Sequence, residues 1–349
     1  MELQQAVELS KRVQNEIKKS VKGKDDCIRK AFCAILAGGH ILIEDVPGVG
    51  KTTLALAFSK VLCLENHRVQ FTPDVLPADI LGFSMYDKEQ GGFYYHPGAV
   101  MCNLFLADEI NRTSPKTQSA LLEVMEEGKV TVDGISHPVP KPFLVMATQN
   151  GSAGTQMLPE SQLDRFMICM SMGYPDLKSE IEIAKGKSIG QSYESIEGVM
   201  TGAQLQAMKE TVENIFIHDR IYEYMMALIH ATRKNPYIEL GVSPRGMVAL
   251  TKMVRANAFL NERDYVISWN HLYQPGIDTF VDLLRSNAVF RLWLYFIYDA
   301  SGKMPDSDSD CYGRAGRRRY DLCGDGKPEQ AAIAEGGIPD RLSELLWQK

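Results

Sequence analysis

Asp45-Val46-Pro47-Gly48-Val49-Gly50-Lys51-Thr52-Thr53 decides the reading of this chain. His40 to Glu44, just before it, is short and mostly apolar and predicts a strand. Thr52–Leu62, just after it, has the spacing of a helix. A glycine-rich turn from strand to helix is the setting of a phosphate-binding loop. Its glycines let backbone N–H groups turn inward, and the helix N-terminus adds the positive end of a dipole. The candidate nucleotide-binding residues are therefore Pro47, Gly48, Val49, Gly50, Lys51, Thr52 and Thr53. Lys51 would reach the β- and γ-phosphates, and Thr52 would ligate magnesium. The usual pattern is G-x-x-x-x-G-K-[ST], and here Asp45 stands at the first glycine. Taken alone, the stretch could also be an ordinary glycine-rich turn.

Leu104-Phe105-Leu106-Ala107-Asp108-Glu109 is the second signal. An apolar run into two acids describes a buried strand whose carboxylates emerge at the carboxyl edge of a sheet, where open α/β sheets bind ligands. Asp108 would hold Mg2+ through water, and Glu109 would polarise an attacking water. A strand ending in acids is often only a solvated edge; downstream of Lys51 the pair gains force.

Outward from these motifs, strand candidates Val69–Phe71, Asn103–Ala107 and Phe143–Thr148 alternate with helix candidates Thr52–Leu62 and Ser114–Glu127. Such alternation predicts an α/β fold with a parallel sheet and helices on both faces. Two amphipathic helices precede it, over 2–18 and from Asp25 to Leu36. β-branched residues around Asp133-Gly134 predict a hairpin over 129–137. After Pro175 the strand signals fade. Thr201-x-x-Gln204 is a capping box, Ile221, Met225, Leu228 and Ile229 mark a long helix, and Ser243-Pro244 opens another. The expected division is 1–175 for the α/β domain, 176–266 for a helical lid and 267–349 for a tail that matches neither. A length of 349 residues suits two or three domains at roughly 150 residues each.

Together these motifs resemble the AAA+ ATPases and, within them, the MoxR family. Glu44 to Thr52 looks like that family's phosphate loop, Asp45 included. The runs Gln70 to Ile80, Ala107 to Gln118, Ala147-Thr148-Gln149-Asn150 and Leu158 to Phe166 are similar to its further blocks, and Ser243-Pro244-Arg245 to its lid motif. The resemblance spans about residues 20–266. It implies ATP and Mg2+ as cofactors, and ATP hydrolysis driving chaperone-like remodelling or maturation of a partner protein. It assigns Asn150 to orienting the attacking water and Arg165 to an arginine finger aimed at the neighbouring subunit's nucleotide. Arg245 is the lid arginine sensing the γ-phosphate in its own subunit. It further implies a homo-oligomeric ring, expected as a hexamer, and a client with a von Willebrand A-type domain or a metalloenzyme under assembly. The hairpin around Asp133 and the insertion over 74–98 would face the pore or the client, and Val21–Gly23 would lie near adenine. Gly151 stands where the family has proline, and the loop before Leu158 is short. From Ser268 onward nothing matches: the tail is a divergent extension or an altered reading frame, which the coding DNA in three frames decides.

Composition narrows the alternatives. A net charge of −6 argues against a coat for nucleic acid or anionic membrane. The longest apolar run, Leu292 to Tyr298, falls far short of the ~20 residues of a bilayer span. Met1 to Gln5 carries an early acid and no apolar segment, so no secretory signal is expected, and a cytoplasmic protein with reduced thiols is. The seven cysteines contain no C-x-x-C, which makes a zinc site improbable. Asp306 to Asp310 imitates a calcium loop, but Cys311 and Arg317 occupy the glycine and glutamate positions. Arg317-Arg318-Arg319 reads as a solvated basic run, and Tyr94-Tyr95-His96 as loop packing. Two rivals share the core motifs. A nucleic-acid-stimulated AAA+ motor or clamp-loader-like ATPase would need a basic, aromatic-interleaved stretch. A non-hydrolysing ATP-switched scaffold has no use for Glu109, Asn150 and Arg165 together.

Overall fold

In the computed structural model, the described residues are 2–46, 48–89, 91–150, 157–175, 177, 180, 181, 196–234 and 240–267. The tail from 268 onward and residues 151–156, Gly151 among them, lie outside this set.

Five strands form the central sheet: β1 (Ile41–Glu44), β2 (Asn66–Gln70), β5 (Leu104–Asp108), β8 (Leu144–Gln149) and β9 (Ile168–Met170). Their order is β2-β5-β8-β1-β9, and every pairing is parallel. The alternation of side chains explains why so many consecutive apolar residues are needed. Leu42, Phe105, Ala107, Val145 and Ala147 point to one face, into a cluster completed by Leu121 and Leu122 of α5 (Pro115–Glu127). Ile41, Ile43, Leu104, Leu106, Leu144 and Met146 point to the other, against α1 (Leu3–Ser20), α2 (Asp25–Leu36) and α3 (Lys51–Val61). The expected sheet covered on both faces is the one that forms.

Edge strands account for the differences. β2 begins at Asn66, three residues before the apolar stretch that marked it, because the exposed side of an edge strand tolerates His67 and Arg68. β9 is only three residues long and carried no pattern. Between β2 and β5, α4 (Pro77–Leu81) leads into a hairpin of β3 (Gly82–Asp87) and β4 (Gly92–Pro97), which alternation did not single out. The Asp-Gly hairpin does form, as β6 (Lys129–Val132) and β7 (Ile135–Pro138). Asp133 and Gly134 take φ of 50° and 78°, the left-handed pair that a two-residue turn requires.

Three further helices complete the described chain: α6 (Glu160–Leu163) aside, these are α7 (Gly202–Glu213), α8 (Asp219–Lys234) and α9 (Pro244–Leu260). The capping box at Thr201 and the serine cap at Ser243 both form. Leu205, Met208 and Val212 of α7, with Met253 and Phe259 of α9, join the same apolar cluster as α1–α3. Met225 and Ile229 of α8 belong to a smaller separate cluster with Val242 and Leu250. The helical part is thus packed onto the sheet domain along α1 and α2. Among the described cysteines, Cys27, Cys33, Cys102 and Cys169 are buried and Cys63 is exposed, and none is disulfide-bonded. Burial pushes the Cys33 and Cys102 thiols up to about 12.

Candidate functional site

β1 delivers the chain to the phosphate-loop stretch at the carboxyl edge of the sheet. Gly48 and Gly50 adopt φ of 88° and 95°, left-handed values that a side chain would strain. At both, the position a Cβ would take has no atom within 4 Å, so it is the left-handed backbone, not crowding, that calls for glycine. Gly50 caps α3, which starts at Lys51, so the first-turn N–H groups have no partner within the helix and face the loop. Val49 anchors the loop in the apolar core. Pro47 lies outside the described residues.

Lys51 is buried, and its Nζ donates to the Asp45 carbonyl at 2.7 Å and to Asn150 Oδ1. Burial pulls the ammonium below the usual lysine range, while the carboxylates of Asp45, Asp108 and Glu109 hold it up. Asp108, at the end of β5, accepts from Thr148 Oγ1 at 2.6 Å on one oxygen. Its other oxygen takes Arg68 Nη2 at 2.7 Å and lies 3.5 Å from the Thr52 hydroxyl. Glu109 follows with φ 56°, a left-handed turn that costs on the order of 1 kcal/mol in a residue with a side chain. Its backbone N–H donates to Thr148 Oγ1 at 2.9 Å, so one hydroxyl fixes both acids. The Glu109 carboxylate accepts from Asn150 Nδ2 at 2.7 Å and from Arg112 Nη1 at 2.6 Å. Lys51, Asn150 and Glu109 therefore form one continuous hydrogen-bonded chain along the sheet edge.

These residues fit a magnesium nucleotide. Thr52 and Asp108 offer two hard oxygens side by side. Magnesium takes one or two protein oxygens, completing its shell with waters and phosphate oxygens.

Arg68, Arg112, Thr148 and Asn111 were not singled out from the sequence. Arg112 had a faint signal, three residues beyond Glu109 and so one helical turn away. Asn111 is buried and donates to the Asn150 carbonyl at 3.2 Å, bracing the next strand's end. Arg68 carried none, because its partner is forty residues distant and reached only through strand pairing. The rest of the 107–118 run is scaffold. Thr117 donates to the Val75 carbonyl at 2.8 Å, and Gln118 donates to the carbonyls of Ile110 and Thr113 at 3.2 Å each.

Arg165 and Arg245 sit elsewhere. Arg165 Nε lies 3.3 Å from Glu126 Oε2, and Arg245 pairs with the other oxygen of Glu126 and, at 3.7 Å, with Asp164. Ser243, which caps α9, donates to Asp164 at 2.7 Å and docks the arginine-bearing turn there. Glu126 is at the far end of α5, about 20 Å along a helix that begins at the nucleotide edge. His40, just before β1, fixes that end: its Nδ1 accepts from the Val145 N–H at 3.0 Å and its Nε2 donates to the Met125 carbonyl at 3.1 Å. Burial pulls His40 down to about 4, so the ring is neutral. The two arginines are thus together at the amino edge of the sheet. The expectation that Arg245 senses phosphate in its own subunit does not agree with this placement, because the chain's own Lys51 is at the opposite edge.

A parallel sheet, a glycine loop on a helix N-terminus and a strand ending in paired acids define a nucleotide-binding ATPase domain of the AAA type. A family model for the ATPase family associated with various cellular activities matches residues 40–168, and one for an AAA lid domain matches 230–268. The chain is 47% identical over 253 residues to protein YeaC of Bacillus subtilis, covering 72% of this chain and 79% of that one. It is 36% identical over 285 residues to chaperone MoxR1 of Mycobacterium tuberculosis, covering 78% of this chain and 74% of that one. A crystal structure from Cytophaga hutchinsonii superposes with a TM-score of 0.70 at 34% identity, over 82% of this chain and 87% of that one. This chain belongs to the MoxR family of AAA+ ATPases. No helix of the described residues is long and apolar enough to cross a membrane.

Proposed function

We propose that the protein hydrolyses ATP to ADP and phosphate and uses the cycle to remodel or mature a partner protein. The observation that carries this reading is the chain Lys51–Asn150–Glu109 beside Thr52 and Asp108. Bound ATP with magnesium supplies the phosphoanhydride and the cation that offsets its charge. Lys51, released toward the phosphates, holds the β- and γ-oxygens. Glu109 accepts the proton of the attacking water, and Asn150, already bonded to Glu109, orients that water. Asp108 and Thr52 would hold the cation.

Arg165 and Arg245 supply the second half of the site to a neighbouring subunit in a homo-oligomeric ring, taken as a hexamer. Their shared seat on Glu126 means that whatever faces one faces the other. The chaperone-like output is supported by the mycobacterial relative, which is named as a chaperone. The family resemblance suggests a client bearing a von Willebrand A-type domain, and a cytoplasmic setting.

The decisive assay is steady-state phosphate release. Glu109→Gln should retain nucleotide affinity and lose about 10²–10⁴ in turnover. Parent-like hydrolysis by that variant would remove Glu109 from the mechanism. Lys51→Ala should abolish nucleotide binding in calorimetry, and unchanged affinity would refute the phosphate-loop assignment.

A further inference from the structure

Asp45, the residue at the first glycine position of the phosphate loop, accepts the Val46 N–H at 2.8 Å on Oδ1 and directs its other oxygen away from the loop. One carboxylate oxygen, Oδ2, accepts from the Met172 N–H at 2.7 Å, the Gly173 N–H at 2.6 Å and the Ser171 hydroxyl at 2.9 Å. Gly173 has φ 63°, and consecutive N–H groups entering a left-handed residue make a small anion-binding concavity. The carbonyls of the overlapping stretch 172–174 are gripped from the other side. Lys24 Nζ donates to the carbonyls of Met172 at 2.7 Å, Gly173 at 3.1 Å and Tyr174 at 2.5 Å. Lys24 is buried and immediately precedes α2. A carboxylate and an ammonium thus hold opposite polar edges of residues 171–174, the segment that follows β9 and leads in chain order toward the lid helices.

The same residue touches Lys51. Its carbonyl accepts from the ammonium that the phosphates would take over. A carboxylate so near a phosphate-binding loop would oppose an incoming polyanion unless its charge were directed elsewhere and neutralised. The nest at 171–173 does both. We propose that Asp45 is a positioning residue that couples the phosphate loop to the 171–174 linker, so that nucleotide binding tightens the linker and linker order favours nucleotide. Phosphates drawing off Lys51 and repelling the carboxylate both drive Asp45 harder into the nest, and the linkage is reciprocal. This inference rests on the ATP-binding reading above. It differs from a merely structural tie in predicting a response of the linker to nucleotide.

The test is hydrogen–deuterium exchange on the full chain, with and without a non-hydrolysable ATP analogue and magnesium, alongside calorimetry. In the parent, the Met172 and Gly173 amides should become roughly tenfold more protected on nucleotide binding, as fits strengthened bonds to a charged acceptor. Asp45→Gly should bind nucleotide and show no change at these two amides. Asp45→Asn, which keeps the shape and loses the charge, should show a reduced response. Lys24→Met should weaken protection with and without nucleotide. If Asp45→Gly does not fold, the Asp45→Asn and Lys24→Met pair decides. Parent protein that binds nucleotide without altering exchange at 172–173 overturns the coupling alone, as does an undiminished response in Asp45→Gly or in Asp45→Asn. Parent protein that binds no nucleotide overturns the ATP reading as well.

Discussion

The two edges of the central sheet hold two unlike sets of charges. At the carboxyl edge Lys51, Asp108 and Asn150 are buried; Lys51 bonds to Asn150, Asn150 to Glu109, and Asp108 to Thr148. At the amino edge Arg165 and Arg245 share the half-exposed Glu126, their side chains 29% and 44% exposed. The first set is self-contained and preorganised, as a site that must hold a cation and a water requires. The second is an arginine pair on an exposed acid, bonds that are individually weak and easily exchanged for a stronger anion. On the reading proposed above, one chain carries two half-sites at opposite edges of its sheet.

Complementation in mixed assemblies is the strongest way to break this contrast. Arg165→Ala should lower turnover by about 10³–10⁵ while sparing nucleotide affinity, as trans arginines do. Mixing it with Lys51→Ala chains should restore part of the activity, because a mixed ring can join an intact loop to an intact neighbour. Arg245→Ala should be rescued in the same way. Failure of its rescue in verified mixed rings, with Arg165→Ala rescued, would return Arg245 to its own subunit's nucleotide.

A pH series sharpens the contrast through stability. His40 ties the end of α5, and with it Glu126, to β1 and β8. Its folded pKa lies at about 4 against 6.5 unfolded, so the unfolded chain binds the proton first. The His40 contribution is intact above pH 6.5 and is lost as pH falls toward 4, amounting to about 2 kcal/mol between pH 7 and pH 5. Urea unfolding at those two pH values measures it. A His40→Gln variant should show a flatter dependence; an equal slope would assign the acid sensitivity elsewhere.

The smallest effect concerns the buried edge alone. Thr148→Val removes the hydroxyl shared by Asp108 and the Glu109 N–H, leaving both short of a partner. Turnover should drop roughly tenfold with magnesium affinity weakened, while the rescue of Arg165→Ala persists. An unchanged magnesium titration would show that Thr148 does not position Asp108.

The sequence was most legible where chemistry and local pattern coincide. Lys51, Thr52, Asp108 and Glu109 each lie within a few residues of a strand or helix end, so their roles follow from motif and element together. The apolar runs at 41–43 and 104–107 announced a sheet buried on both faces, and Asp133-Gly134 announced its own turn. The β3–β4 hairpin escaped because its outward residues are aromatic: Phe83, Tyr86 and Phe93 are exposed, which erases the apolar–polar alternation that marks a half-buried strand.

By itself, then, the order of residues determined the α/β class, the phosphate loop and the paired acids at the end of β5, because backbone propensity, side-chain period and motif spacing are local properties. Only the tertiary structure decided which groups meet across long separations. Arg68 reaches Asp108 because β2 lies beside β5, and Asn150 reaches Lys51 because β8 lies beside β1. Arg245 joins Arg165 because α9 docks through Ser243 on Asp164. Asp45 finds Met172 and Gly173 because β9 pairs with β1 and returns the chain to the same edge. Those encounters are fixed by strand order and helix docking, whose free energy is spread over the whole core and leaves no mark at any one position in the sequence.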